Sequence, residues 1–251
     1  MKIVRALVPF SALALLLVVW QCGVLLARTH LVPGPWAVLL AMLELARRGL
    51  LIKYVVASLY RVTWGYISAV VVGIPVGVVL GLHKRGELAF NPLIQILRPI
   101  SPLAWIPISI LWFGVGDVAS IFLIFLASFF PLVVTAMNAV HNVDAVYLNA
   151  GRNFGLSQRE LIRRIIYPAI MPQIIVGLRI TLGVAWLVVV AAEMIAVSSG
   201  LGFLIVDARN AGDRYDLVMA GMVLIGIIGI LLDVMMRQLE RLKSIRWGYA
   251  S

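Results

Sequence analysis

"VDAVYLNAGRNFGLSQRELIRRIIYP" occupies residues 143–168, and its reading decides how the rest of the chain is organised. Asp144 stands where an N-cap belongs, ahead of a short helix over residues 145–154. Gly155 suits the left-handed position that ends such a helix. Ser157 and Glu160 then match the S-x-x-E capping box of a second short helix. Leu161, Ile162, Ile165 and Ile166 fall on one face of that helix, and Arg159, Arg163 and Arg164 on the other. Pro168 marks entry into the next apolar run. The reading is two capped helices with a sharp bend at glycine, a polar piece set between two of the most apolar stretches of the chain.

Outward from that segment the chain is mostly oil. Of its 251 residues 63% are hydrophobic and 13% charged, with a mean hydropathy of +1.05. Soluble domains run near half apolar and a quarter charged, so this chain lacks the polar surface to face water all round. It reads as an all-α integral membrane protein. Apolar runs give six spans, roughly 6–27, 60–82, 103–115, 118–140, 169–197 and 217–236. The first follows Lys2 and Arg5 and has no small-residue cleavage site, which predicts a retained anchor. Residues 35–48 read as an amphipathic interfacial helix opening at Pro35. Residues 1–54 thus form an anchor plus interfacial helix, 55–240 the main membrane domain, and 241–251 a basic tail.

Most of the 21 lysines and arginines fall on one side if both termini are cytoplasmic. The net charge of +10 is then explained by basic inner loops facing anionic lipid, with no nucleic-acid partner. Arg28, Arg47, Arg48, Lys53, Arg61, Arg209 and Arg214 are the outer exceptions. The single cysteine, Cys22, has no partner for a disulfide and no metal-ligand neighbours, and no metal site is expected. Gly73, Gly77 and Gly81 recur every fourth residue, a face that lets a second helix approach closely, and Pro75 between them predicts a kink.

The opening segment resembles the cytoplasmic loop of permease subunits of bacterial ABC importers. That motif runs E-A-A, three residues, G, nine residues, I-x-L-P. Here Asn149, Ala150 and Gly151 stand at the E-A-A positions, followed by Gly155, Ile165, Tyr167 and Pro168 at the expected spacing. "SPLAWIPISILWFGVGD" (101–117), "GLRITLGVAWLVVVAAEMIA" (177–196) and "GLGFLI" (200–205) look like the subfamily that imports sulfonates, taurine, nitrate or bicarbonate. The resemblance implies a type I importer fold in the bacterial inner membrane, with a second permease copy, two cytoplasmic ATPase subunits and an extracytoplasmic binding protein as partners. It also implies that the loop is a coupling helix docked on the ATPase, through Asn149, Ala150, Gly151, Gly155, Ser157, Glu160, Ile165 and Pro168. The chain has no G-x-x-x-x-G-K-[ST] loop, so ATP and Mg²⁺ belong on the partner ATPases and no cofactor is expected in this chain.

Two charges interrupt the fifth span. Arg179 and Glu193 usually would face protein or a water-filled path at that depth. For Arg179 two readings stand, attraction of an anionic substrate or a structural pair with a carboxylate. Glu193 reads as a structural or gating hydrogen bond, and Asp233 as a partner of Arg237 one turn later. The prolines at 99, 102 and 107 break a helix. Either Ser101 and the carbonyls near Pro102 line a cavity, or the break is an interfacial loop. Trp105 and Trp186 line the path or sit in an interfacial belt.

Other classes fit less well. An ion-gradient carrier or channel is the alternative, but no internal repeat is visible. An intramembrane enzyme lacks a constellation, since His30, His83 and His141 lie far apart.

Overall fold

The computed structural model describes residues 2–27, 32–210 and 212–240, and every regular element among them is helical. In chain order these are α1 Lys2–Ala27, α2 Pro35–Arg47, α3 Leu50–Leu82 and α4 Lys84–Leu97. A 3₁₀ turn at Pro102–Trp105 leads into α5 Ile106–Phe113. Then come α6 Asp117–His141, α7 Ala145–Asn153, α8 Gln158–Leu161, a π-turn at Ile162–Ile166, α9 Tyr167–Ala196, α10 Leu201–Asn210 and α11 Tyr215–Glu240. The basic tail 241–251 and His30 lie outside the described residues.

The glycine spacing in α3 has the expected consequence. A Cβ built on Gly73 would lie 3.3 Å from the Phe129 carbonyl oxygen, and one on Gly81 2.8 Å from Val140 Cβ. At Gly77 a Cβ would overlap the Val133 carbonyl. Gly65, two further steps along the same face, meets Ile124 Cβ at 2.7 Å, and Ala69 between it and Gly73 is fully buried. The small-residue face therefore runs from Gly65 to Gly81 and brings α3 backbone to backbone with α6. α3 runs unbroken through Pro75.

This register fixes the topology. Residues 65 to 81 of α3 lie beside 121 to 140 of α6 in the same order, so the two helices are parallel. The chain from 82 to 117 must therefore travel back along the full height of the pair. It does so as α4 and the 3₁₀–α5 piece, bent by 86° at residues 98–101. The proline-rich break is thus the elbow of a broken span, and residues 84–98, expected as an inner loop, are a helix. α4 was hidden because Lys84, Arg85, Glu87, Asn91 and Gln95 dilute its hydropathy, while Ile94 packs on Leu80, Val133 and Met137. Four unbroken helices, 50–82, 117–141, 158–196 and 215–238, are long and apolar enough to cross a membrane.

Two boundaries differ from the sequence reading. The second span begins at Leu50 and not near residue 60, so Arg61 belongs to its interior and not to an outer loop. The expected outer loop after Ala196 contains the helix α10, packed on α9 and α11. The amphipathic helix forms as read, with Gly34 as N-cap and Pro35 in the first turn. It buries Val38, Ala41 and Leu45 in the bundle core. Arg214 ties α2 to the start of α11, donating to Glu44 and Asp216 at 2.8 Å each. The Arg214 guanidinium beside Glu44 holds that carboxyl below the usual range.

Candidate functional site

The segment 143–168 folds as two capped pieces. The Asp144 carboxylate accepts from the Val146 N–H at 2.8 Å and starts α7. At the other end Gly155 adopts φ +74°, its N–H donates to the Arg152 carbonyl at 2.9 Å, and the Leu156 N–H donates to the Gly151 carbonyl at 3.1 Å. These paired bonds are the Schellman closure, and they need a residue free to enter the left-handed region. Ser157 and Glu160 form the reciprocal capping box. Both ends of α7 and the start of α8 are thereby capped locally, which keeps the bend stiff.

Gly151 shows why this chain departs from alanine at that position. A Cβ there would come within 2.5 Å of Ile165 Cδ1 and 2.7 Å of Leu161 Cδ2. α7 thus sits directly on the apolar face that follows the capping box. Its other face stays open: Asn149 and Ala150 are exposed, and so are Val146, Tyr147 and Phe154, the last at 86%. A groove of about 720 Å³ runs beside it, lined among others by Asn142, Tyr147, Phe154, Ile165 and Gln173.

One expectation for this segment needs correction. The second short helix is not separate from the span; α8, the π-turn and α9 form one continuous rod over 158–196. Pro168 has no N–H and its ring crowds the preceding turn, so an ordinary α ladder is spoiled there. The rod accommodates this with one wide turn, in which the Tyr167 N–H reaches back to the Ile162 carbonyl.

A second polar cluster lies at the opposite end of the bundle. Arg61 is only 2% exposed and Glu193 is fully buried. Arg61 Nη1 meets Glu193 Oε1 at 2.6 Å, and Nε donates to Asp117 Oδ1 at 2.8 Å. The same guanidinium donates to the Ser199 carbonyl and hydroxyl at 2.7 and 2.6 Å. Glu193 Oε2 also accepts from Ser58 Oγ at 2.8 Å and from the Gly202 N–H at 3.0 Å. Glu193 is thus hydrogen-bonded through both oxygens, and Arg61 is the partner that sequence reading missed. A signal existed: an unpaired carboxylate in one span asks for a cation in another.

The other candidates occupy different places. Arg179 Nε donates to Asp233 Oδ1 at 2.6 Å, and Asp233 Oδ2 accepts from Arg237 at 2.9 Å. Arg179 and Glu193 are about 21 Å apart along α9. Trp186 is not in a surface belt: it is buried between α9 and α11, donating to the Ile225 carbonyl at 3.0 Å. Ser101, Pro102 and Trp105 gather at the elbow, Ser101 exposed and Trp105 half-buried. His141 faces Glu87 at 3.3 Å, and no metal-binding cluster occurs among the described residues.

Comparison with known proteins adds the following. Residues 69–244 match the family described as binding-protein-dependent transport system inner membrane component. The taurine transport system permease protein of Escherichia coli is 37% identical over 240 residues, covering 92% of this chain and 86% of that one. The bicarbonate transport system permease protein of Synechococcus elongatus is 34% identical over 252 residues, covering 96% and 90%. A chain from a structure of inward-facing conformations of the MetNI methionine ABC transporter superposes with a TM-score of 0.68 at 20% identity, covering 78% of this chain and 97% of that chain.

Proposed function

The chain belongs to the family of binding-protein-dependent transport system inner membrane components, and on that premise we propose that the open face of α7 is where a cytoplasmic ATPase docks. The chain is the membrane-spanning permease subunit of an ATP-driven importer, and membership implies ATPase and binding-protein partners. The observation that carries the docking role is the exposed Val146–Tyr147–Phe154 face on a helix stiffened at both ends. An exposed aromatic face is costly in water and is the kind of surface on which binding energy concentrates.

The remaining parts of the reading go together. The transporter is a homodimer of this permease in a bacterial inner membrane, both termini cytoplasmic, with ATP and Mg²⁺ held by the ATPase subunits. Its substrate is a small oxyanion of the sulfonate, taurine, nitrate or bicarbonate kind, as the relatives' names suggest.

Phe154→Asp tests the docking face. It leaves the caps intact, so the permease should insert and melt as the parent does. Pull-down of the ATPase subunit should weaken at least about tenfold, the loss of one hot-spot side chain. Undiminished pull-down would assign the face to lipid instead.

Arg179→Ala addresses the path. Asp233 keeps Arg237 when Arg179 is removed, so no carboxylate is stranded and stability should change little. Uptake of a labelled oxyanion should fall with ATPase docking retained. A complex that falls apart would make Arg179 structural.

A further inference from the structure

We propose that the π-turn at Ile162–Ile166 sets the rotational phase between the docking face of α7 and the span α9, so that the number of residues in this turn decides whether motion is passed between them. The proposal rests on the docking reading above. The deep residues from the end of the turn into α9 run Ile166, Ile170, Ile174 at four-residue spacing. The next buried position towards α7 is Leu161, five residues back from Ile166. In an uninterrupted α-helix a residue five positions back lies about 140° round the axis, away from that stripe. A turn closed by an i→i+5 bond holds one extra residue and returns Leu161 to the buried side.

Leu161 matters because α7 is seated on it. The contact surface that forbids a side chain at Gly151 is made by Leu161 Cδ2 and Ile165 Cδ1, with Leu156 Cδ1 at 3.4 Å. α7 is therefore seated on α8 and on the turn, while its Leu148 packs on the Ile166–Ile170–Ile174 stripe, and the wide turn sets how those two seats face each other. The turn's own polar side chains point outward: Arg163 and Arg164 are exposed, and Arg164 meets Glu160 at 3.4 Å. Its geometry follows from the backbone, with the Tyr167 N–H bonded to the Ile162 carbonyl and no donor at Pro168. The polar side chains of the turn are dispensable on this account, and residue count is not.

Deletion of Arg163 removes the extra residue and lets the rod close as α-helix, turning α8, one seat of α7, by about 100° and shifting it about 1.5 Å relative to the Ile166–Ile174 stripe on which Leu148 packs. Arg163→Ala is the control that keeps the count. Both are compared in nanodiscs as the permease–ATPase complex, reading ATPase pull-down, melting temperature and stimulation of ATP hydrolysis by the binding protein. Arg163→Ala should keep stimulation within about twofold of the parent, whereas the deletion should keep the ATPase bound and lose stimulation at least about tenfold, taking tenfold as one decade of coupling. Normal stimulation of the deletion overturns the proposal, and so does an equal loss in Arg163→Ala. If the deletion melts early, Pro168→Ala decides: it restores the missing donor at full length and should lower stimulation severalfold, and unchanged stimulation overturns the proposal. Failure of the docking reading would look different, as normal pull-down of Phe154→Asp.

Discussion

Arg61→Met should destabilise the isolated permease by about 3–5 kcal/mol, the usual result of removing one partner of a buried ion pair. The size follows from what is left behind. Glu193 is fully buried, and two of its remaining partners, Ser58 and the Gly202 N–H, are neutral donors. Without Arg61 the carboxylate has no counter-charge within the cluster except by taking up a proton. Asp117 and Ser199 lose their donor in the same step, so α6 and the α9–α10 connection loosen together from α3. A double variant with Glu193→Leu should recover part of the loss, because an apolar pair of similar volume leaves no stranded charge. Melting temperatures of the two single variants and the double, read as a cycle, measure the coupling. Additive effects would mean that the two side chains do not depend on each other, contrary to their 2.6 Å contact.

How legible this was follows from the range of each interaction. Asp144, Gly155, Ser157 and Glu160 act on backbone groups two or three residues away, so their roles can be read from spacing, and each adopts the geometry expected. The same holds for Gly73, Gly77 and Gly81, whose period is a property of one helix. Arg61 was misplaced because hydropathy assigns its charge to water, whereas its neutralising partner stands 132 residues further on. α4 was lost for the opposite reason: the packing of Ile94 on Leu80, Val133 and Met137 is enough to seat a helix, but not to raise a window average. The π-turn was invisible because nothing in the apolar pattern of 161–166 separates a four-residue turn from a five-residue one. Only the seating of Leu161 against Gly151 does so, and that is a tertiary contact.

Gly77→Val should cost more than the same change at Gly65, Gly73 or Gly81, because of the four it strikes backbone most closely. A Cβ at that position would overlap the Val133 carbonyl and lie 2.7 Å from Ala136 Cβ and 3.0 Å from Val133 Cα. A flexible side chain can swing aside; a helix carbonyl already engaged in its own ladder cannot. The two helices must separate, and the displacement reaches Gly73 and Gly81, which depend on the same close approach. Overpacking a tight core typically costs about 1–3 kcal/mol and occasionally more. Here two further branches follow the Cβ, so the upper end of that range is expected. Because lipid offers no hydrophobic penalty for parted helices, close packing itself is what holds α3 on α6. The variant should therefore insert normally but elute as a broadened species in detergent and melt at least several degrees early. Gly183→Val is the matched control, a glycine in α9 where a Cβ would meet nothing within 4 Å. Equal melting of the two variants would show that the α3–α6 contact is looser than the glycine spacing requires, and the parallel register derived from it would lose its support.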